Sequence, residues 1–172
     1  MPAIKREESW KDLGLHTPEG MIDTSIYKGS DPKSIVIAYF EDNEQWNEKD
    51  EHLMSVLSGI LDRIYVDVIR EEKAGAYTVQ ASGGLAKVPY QYAYLRILIP
   101  CSPDNTDSLT IAAINEIKRI QENGVKPEDL KTAKEIERRE IEKESKTNGY
   151  WISALSGIYF QGKTMDKFVK LR

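Results

Sequence analysis

Alternation of apolar and polar positions predicts a first pair of strands near the start of the chain. Ile22, Thr24 and Ile26 alternate with polar residues, and residues 34–40 are rich in β-branched and aromatic side chains. Only the short polar stretch 28–33 separates these two segments. A connection of this length predicts that they pair as an antiparallel hairpin.

A second pair of strands is predicted in the middle of the chain. Residues 76–85 and 90–99 have strand character, and Pro100 is expected to end the second strand because proline cannot donate a ladder hydrogen bond. The short connection again favours antiparallel pairing. In the second strand, alternate positions place four polar or aromatic residues on one face: Tyr90, Tyr92, Tyr94 and Arg96.

Helical periodicity accounts for most of the remaining chain. Apolar residues recur at three- and four-residue steps over 53–72, which predicts a long amphipathic helix that Gly75 ends. Asn123-Gly124 is typical of a helix C-terminus, and Pro127 suits a first helical turn. The remaining helices are therefore predicted at 104–123, 127–146 and 150–160, and residues 164–172 are expected to begin one more that is incomplete.

The predicted order of elements is β-β-α-β-β-α-α-α, with strands in hairpins and helices gathered after them. This order predicts an α+β fold in which helices pack on one face of an antiparallel sheet. A chain of 172 residues fits one domain. Within it, residues 1–20 are expected to be a polar lead-in, and residues 161–172 to begin a C-terminal segment that a larger parent chain completes.

Composition excludes several classes of protein. The net charge of -4 argues against a general nucleic-acid binder, since phosphate contacts need a concentrated basic face. The longest apolar run, 35–40, is too short to span a bilayer, and no signal peptide is visible at the start. Cys101 is the single cysteine, which excludes an internal disulfide and predicts a semi-buried residue after a strand.

The two histidines, His16 and His52, limit the possible catalytic sites. Neither lies near a nucleophile motif, and His16 lies in a turn without an evident partner. Glu48 and His52 have the i,i+4 spacing of a helical metal pair, but a polar helix entry is the favoured interpretation. Three later carboxylates could complete such a site, and the sequence selects none of them: Glu116, Glu122 and Glu128. We therefore predict no metal site in this chain.

One stretch resembles a known family. Over residues 68–79 an arginine ends a helix and a tyrosine opens the next strand seven residues later, as Arg70 and Tyr77 do here. The stretches Thr17-Pro18-Glu19-Gly20 and Trp151-Ile152-Ser153-Ala154-Leu155 also match in order and context. Together these features resemble the C-terminal half of insulinase (pitrilysin-type) zinc metallopeptidases, and the resemblance covers roughly residues 10–160.

The resemblance implies an insulinase/mitochondrial-processing-peptidase-like fold and a non-catalytic role. In that family the arginine and tyrosine bind the peptide substrate, so the resemblance implies this role for Arg70 and Tyr77. The zinc-binding motif H-x-x-E-H is absent, and residues 48–52 stand at its position with Glu48 in place of the first histidine. Zinc is therefore expected on a catalytic domain of the same or a partner chain, and this chain alone is expected to be inactive.

The resemblance also implies a periplasmic or cell-envelope location for the parent protein. The alternative is an inactive structural or interaction domain of the same fold, as in core subunits or inactive partner chains. Two aromatic groups bear on this choice. The tyrosine stripe at 90–94 could line a peptide groove, although core or domain interface is the favoured interpretation. The apolar cluster at 151–160 could drive self-association.

Overall fold

The computed structural model describes residues 11–72 and 79–161, without the side chains of residues 70–72 and 161. The chain divides into two compact units, Met1–Gly124 and Val125–Arg172. In chain order the elements are β1 (Ser34–Asp42), α1 (Glu48–Tyr65) with a π-helical continuation (Val66–Glu72), β2 (Gln80–Ala86), β3 (Tyr92–Cys101), a 3-10 turn (Pro103–Asn105), α2 (Thr106–Asn123), α3 (Pro127–Glu144) and α4 (Asn148–Gln161).

The three strands of the first unit form one antiparallel sheet in the order β1-β3-β2. Ile37 of β1 lies opposite Leu98 of β3, and Gly83 of β2 lies opposite Leu95. The helices α1 and α2 contact this sheet, so the predicted α+β class with an antiparallel sheet is confirmed. The predicted pairing of the two middle strands is also confirmed, as β2 with β3.

The predicted strand at Ile22, Thr24 and Ile26 is wrong. Residues 21–28 form no regular structure, and Ile26 is 90% exposed. The segment 34–40 is a strand, but its partner is β3 rather than the preceding segment. Strand propensity depends on what a pleated face packs against. An alternating segment whose apolar side chains find no core therefore need not become a strand.

Pro100 lies inside β3 instead of ending it. Pro100 stands opposite Ile35 of β1. Strand β2 pairs only with residues 92–98 of β3 and does not reach Pro100. At Pro100 the strand therefore has a single neighbour in the described sheet. A proline is tolerated where only one side of the strand needs a ladder hydrogen bond.

The core of the first unit lies on one face of the sheet. Ile97, Ile99 and Cys101 of β3 are each at most 2% exposed. They meet four buried side chains from the two helices: Leu61 and Tyr65 of α1, and Leu109 and Ala113 of α2. Burying an aliphatic side chain of this size contributes about 1.5–3 kcal/mol. Both helices of this unit therefore pack on the same side of the sheet.

Specific contacts determine where helix α1 begins and how closely it packs against β2. The Asn47 side chain caps the helix by accepting from the Asp50 N–H at 2.9 Å. Further along, the Asp62 carboxylate accepts a 2.8 Å hydrogen bond from the Ala81 N–H of β2. A Cβ on Gly83 would stand 3.1 Å from Met54 Cγ. Glycine at this position allows the helix to approach the strand closely.

The second unit contains the two predicted helices, α3 and α4. Pro127 lies in the first turn of α3, followed by Glu128 and Asp129 at the positive end of the helix dipole. Helix α4 begins at Asn148, and the Trp151 indole N–H donates to the Ser145 carbonyl at 2.8 Å. The predicted helix at 164–172 lies outside the described residues.

Candidate functional site

The two predicted substrate-binding residues fall at the limit of what the structure describes. The backbone of Arg70 belongs to the π-helical continuation of α1. Its side chain, and the whole of Tyr77, lie outside the described residues. Their role in binding substrate therefore stays a prediction. Short π-helical segments are frequent at functional sites.

The remaining metal candidates do not converge in the part of the chain that the structure describes. Glu48 lies in the first turn of α1 with other acids, where the positive end of the helix dipole favours negative charge. Glu116 is paired with Arg119 at 2.7 Å. Glu122 and Glu128 are exposed on α2 and α3. In the described ranges no three His, Cys, Asp or Glu side chains are grouped so that they could hold a metal ion.

His16 and Cys101 differ from expectation in their surroundings. His16 Nε2 lies 2.9 Å from the Asp12 carboxylate, and its ring centroid lies 4.2 Å from that of Tyr90. The expectation that His16 lacks a partner is therefore wrong. Cys101 is the last residue of β3 and is fully buried, and this burial raises the pKa of its thiol. A buried thiol of this kind suits packing rather than nucleophilic chemistry.

The face of the sheet opposite the core carries a continuous set of exposed and half-buried side chains. Register pairs share a face, so Ile37 lies beside Leu98, Tyr39 beside Arg96, and Glu41 beside Tyr94. Ile35 and Ile37 are 63% and 61% exposed. Among the described residues of the first unit, this outer face is the side of the sheet that α1 and α2 leave open.

Four tyrosines form a row of ring contacts at one end of the outer face. The centroids of Tyr90 and Tyr92 are 4.8 Å apart, and those of Tyr92 and Tyr94 are 6.1 Å apart. Tyr39 of β1 stacks on Tyr94 across the strands, with centroids 6.2 Å apart and planes 15° apart. We call these four residues with Glu41 the tyrosine face. Core packing is wrong for Tyr92 and Tyr94, because they lie opposite the buried side of β3. A peptide groove and a domain interface both stay predictions.

Glu41 connects the tyrosine face through three hydroxyl groups. Its Oε2 accepts from the Tyr39 hydroxyl at 3.0 Å and from the Thr17 hydroxyl at 2.8 Å. Its Oε1 accepts from the Tyr90 hydroxyl at 3.2 Å. Neutral hydroxyl donors orient a carboxylate without cancelling its charge. Glu41 is therefore a fixed negative charge at the edge of a row of aromatic rings.

The environment of these hydroxyls makes them poor acid–base catalysts. Burial, followed by the hydrogen bond to Glu41, raises the pKa of Tyr39 above its usual value. The pKa of Tyr90 is raised by the same two causes. Efficient proton transfer needs a pKa near the working pH. The tyrosine face is therefore suited to binding a ligand rather than to moving protons.

The strand predicted from the sequence over residues 34–40 stops before Glu41, whereas in the structure Glu41 belongs to β1. A signal was present, because Tyr39 and Glu41 are two apart and therefore share one side of a strand. The partners Thr17 and Tyr90 lie far from Glu41 along the chain. Their approach depends on the pairing of β1 with β3, which alternation does not predict.

Comparison with known proteins identifies the family. The model for the Peptidase M16 inactive domain matches residues 6–137, most of the chain. The chain belongs to the insulinase-type M16 peptidase family. Among curated proteins, an Arabidopsis thaliana zinc protease PQQL-like protein is 28% identical over 109 residues, covering 60% of this chain. The match spans 11% of that relative's length, so this M16 domain corresponds to a small part of it.

Solved structures support the same fold for this M16 domain. The ferredoxin protease FusC, determined as a mutant in complex with Arabidopsis ferredoxin, matches with a TM-score of 0.56 and 12% identity. The match covers 66% of this chain and 12% of FusC. A conserved protein from Enterococcus faecalis matches with a TM-score of 0.63 and 11% identity, covering 80% of this chain and 33% of that one. At these identities the likeness concerns the fold.

No helix in the described part of the chain is both long enough and apolar enough to cross a bilayer.

Proposed function

We propose that this chain is a non-catalytic, substrate-binding domain of a zinc metallopeptidase, and that its tyrosine face contacts the peptide. The observation that supports this most directly is a row of tyrosine rings, on the sheet face that α1 and α2 leave uncovered, in a domain of the inactive M16 type. Zinc and the general base would be supplied by another domain, of the same chain or of a partner. Arg70 and Tyr77 would bind the substrate backbone near that zinc.

The composition of the outer face fits an extended peptide. Tyrosine offers a large, rigid and amphipathic contact surface at a low cost in conformational entropy. Beyond the tyrosines, Ile35, Ile37 and Leu98 extend the same face with apolar contact area. FusC, which shares the fold, is a protease whose structure holds a protein, ferredoxin. A periplasmic or cell-envelope location for the parent protein belongs to this proposal as an expectation from family resemblance.

Peptide binding to the chain tests the proposal. The probe is a short extended peptide labelled with fluorescein, in which serine alternates with valine and norleucine stands at the centre. We expect its fluorescence anisotropy to rise on titration with the chain. Tyr92→Ser should weaken binding about tenfold or more, since one aromatic contact of this kind contributes about 1–2 kcal/mol.

The control variant is Tyr27→Ser. Tyr27 is 92% exposed and lies outside the ring contacts of the tyrosine face, so its loss should leave binding unchanged. If the wild-type chain does not bind the peptide, or if the two variants weaken binding equally, the tyrosine face is not a peptide site. That outcome would favour a structural or interaction domain, in which the outer face packs against another domain.

A further inference from the structure

The tyrosine face carries a negative charge that no cation of the described residues neutralises. Three hydroxyl groups donate to Glu41, from Thr17, Tyr39 and Tyr90. Among the residues that the structure describes, no lysine, arginine or histidine forms an ion pair with it. The carboxylate is thus held in place by three neutral donors.

The aromatic rings beside Glu41 favour the same kind of ligand as its charge does. The face of a tyrosine ring attracts cations through its quadrupole when they come within about 6 Å of the centroid. Tyr90, Tyr92 and Tyr94 follow one another at 4.8 Å and 6.1 Å between centroids. A lysine or arginine side chain has an apolar stem that can lie along such rings and a charged end that can reach the carboxylate.

The His16 ring lies 4.2 Å from that of Tyr90, so the neighbouring Tyr92 ring is the one that a ligand can reach. From this arrangement we propose that the tyrosine face recognises a basic side chain of the peptide, with its stem against Tyr92 and its charged end at Glu41. This inference rests on the proposed function, because it names the chemistry of the peptide that the same face binds. It goes further in assigning Glu41, which neither the family match nor the sequence singles out, as the residue that determines specificity.

Arg96 limits where on the outer face the basic side chain binds. It lies on the same face, opposite Tyr39 in the register, and it is exposed. A second cation beside it would be repelled. Glu41 lies two residues beyond Tyr39 along β1, opposite Tyr94. The basic side chain of the peptide therefore lies at the Glu41 end of the face, and an uncharged or acidic residue lies at the Arg96 end.

Matched peptides test this preference. The norleucine peptide used above is compared with peptides carrying lysine or glutamate at the same central position, since norleucine keeps the apolar stem of lysine and lacks its charge. In fluorescence anisotropy we expect the lysine peptide to bind about five- to tenfold more tightly than the norleucine peptide. The glutamate peptide should bind most weakly. The lysine preference should shrink as sodium chloride is raised, because the charges are partly exposed to solvent.

Variants of the chain locate the preference. Glu41→Gln keeps the shape of the side chain and one of its two acceptor oxygens but removes its charge, so it should abolish the lysine preference. Tyr92→Leu should reduce that preference while retaining apolar bulk. Glu122→Gln removes a similar charge from the exposed surface of α2 and should leave the preference unchanged.

The outcomes separate this inference from the proposed function. Equal binding of the lysine and norleucine peptides by the wild-type chain would overturn the inference and leave the peptide-binding role standing. A lysine preference that survives Glu41→Gln would overturn the assignment of Glu41. Binding of none of the peptides would overturn both. The wild-type comparison needs no variant, so a folding defect in one variant would not remove the test.

Discussion

The Tyr65 hydroxyl donates a 3.0 Å hydrogen bond to the Ala113 carbonyl and so connects helix α1 with helix α2 inside the core. Tyr65 is fully buried. We expect Tyr65→Phe to lower the free energy of unfolding by about 1 kcal/mol, because the ring is kept and one buried hydrogen bond is lost. Urea denaturation measures the change. Tyr27→Phe, at an exposed tyrosine, should have no effect, and an equal loss in both variants would contradict the prediction.

The same buried hydroxyl gives stability a dependence on alkaline pH. Burial raises the pKa of Tyr65 above its usual value of 10.0. Above pH 10 the unfolded chain therefore loses this proton while the folded chain keeps it, so stability falls as pH rises toward the folded pKa. Below pH 10 the contribution is fully present. Tyr65→Phe should show a smaller fall between pH 9 and 11 than the wild type when urea midpoints are compared. A steeper fall in the variant would contradict the assignment.

The two faces of the sheet should differ in their tolerance of truncation. Ile97 is fully buried on the core face and stands opposite Ala38 of β1. The next residue of β1, Ile37, is 61% exposed on the outer face. Ile97→Ala should cost about 2–5 kcal/mol, the range for buried aliphatic truncations. Ile37→Ala should cost less than about 1 kcal/mol. Thermal denaturation followed by circular dichroism compares them, and equal losses would show that both faces are covered in the isolated chain.

The isolated chain is expected to hold no stoichiometric zinc and to hydrolyse no peptide. Two histidines and a carboxylate on one helix are the usual minimum for a zinc peptidase site, and the sequence does not contain that motif. Elemental analysis after zinc soaking and dialysis, together with a fluorogenic peptide assay, measures both properties. One tightly bound zinc per chain that is lost in His52→Ala would contradict the non-catalytic interpretation.

Tyr77 remains the predicted donor to substrate in an enzyme that contains this domain. In such an enzyme Tyr77→Phe should lower kcat more than it raises KM, because the hydroxyl would act on the transition state. Loss of one donor to an oxyanion costs about a hundredfold or more in kcat. Steady-state kinetics measure the split, with Tyr27→Phe as the control. A change in KM alone would show that Tyr77 contributes to ground-state binding only.

Helix α4 should promote self-association of the isolated chain. It exposes apolar side chains around its surface, among them Ile152 at 66% and Leu155 at 45%. Ile152 and Leu155 are three residues apart and so lie side by side on the helix. Contiguous apolar surface is usually covered in soluble proteins. Light scattering over a concentration series should show a growing mass, and Ile152→Glu should reduce it. A strictly monomeric chain at all concentrations would contradict this expectation.

Helix positions could be predicted from the sequence because helical periodicity is a local property. The stripe over 53–72, the stop at Asn123-Gly124 and the start at Pro127 each depend on residues within a few turns. The structure has helices at these places, as α1, α2 and α3. The fold class followed from their order, and family resemblance pointed to the inactive domain that the family match supports.

Strand pairing and the make-up of the tyrosine face were decided only by the tertiary structure. Alternation predicted a strand at 22–26 as readily as at 34–40, yet only the second segment packs against the core and pairs with another strand, β3. That non-local pairing brings Glu41 beside Tyr94 and within reach of the Tyr90 hydroxyl. A pattern of apolar residues shows which side of a strand is buried. Which distant strand lies next to it depends on how the whole unit buries its apolar surface, and no short window of sequence contains that information.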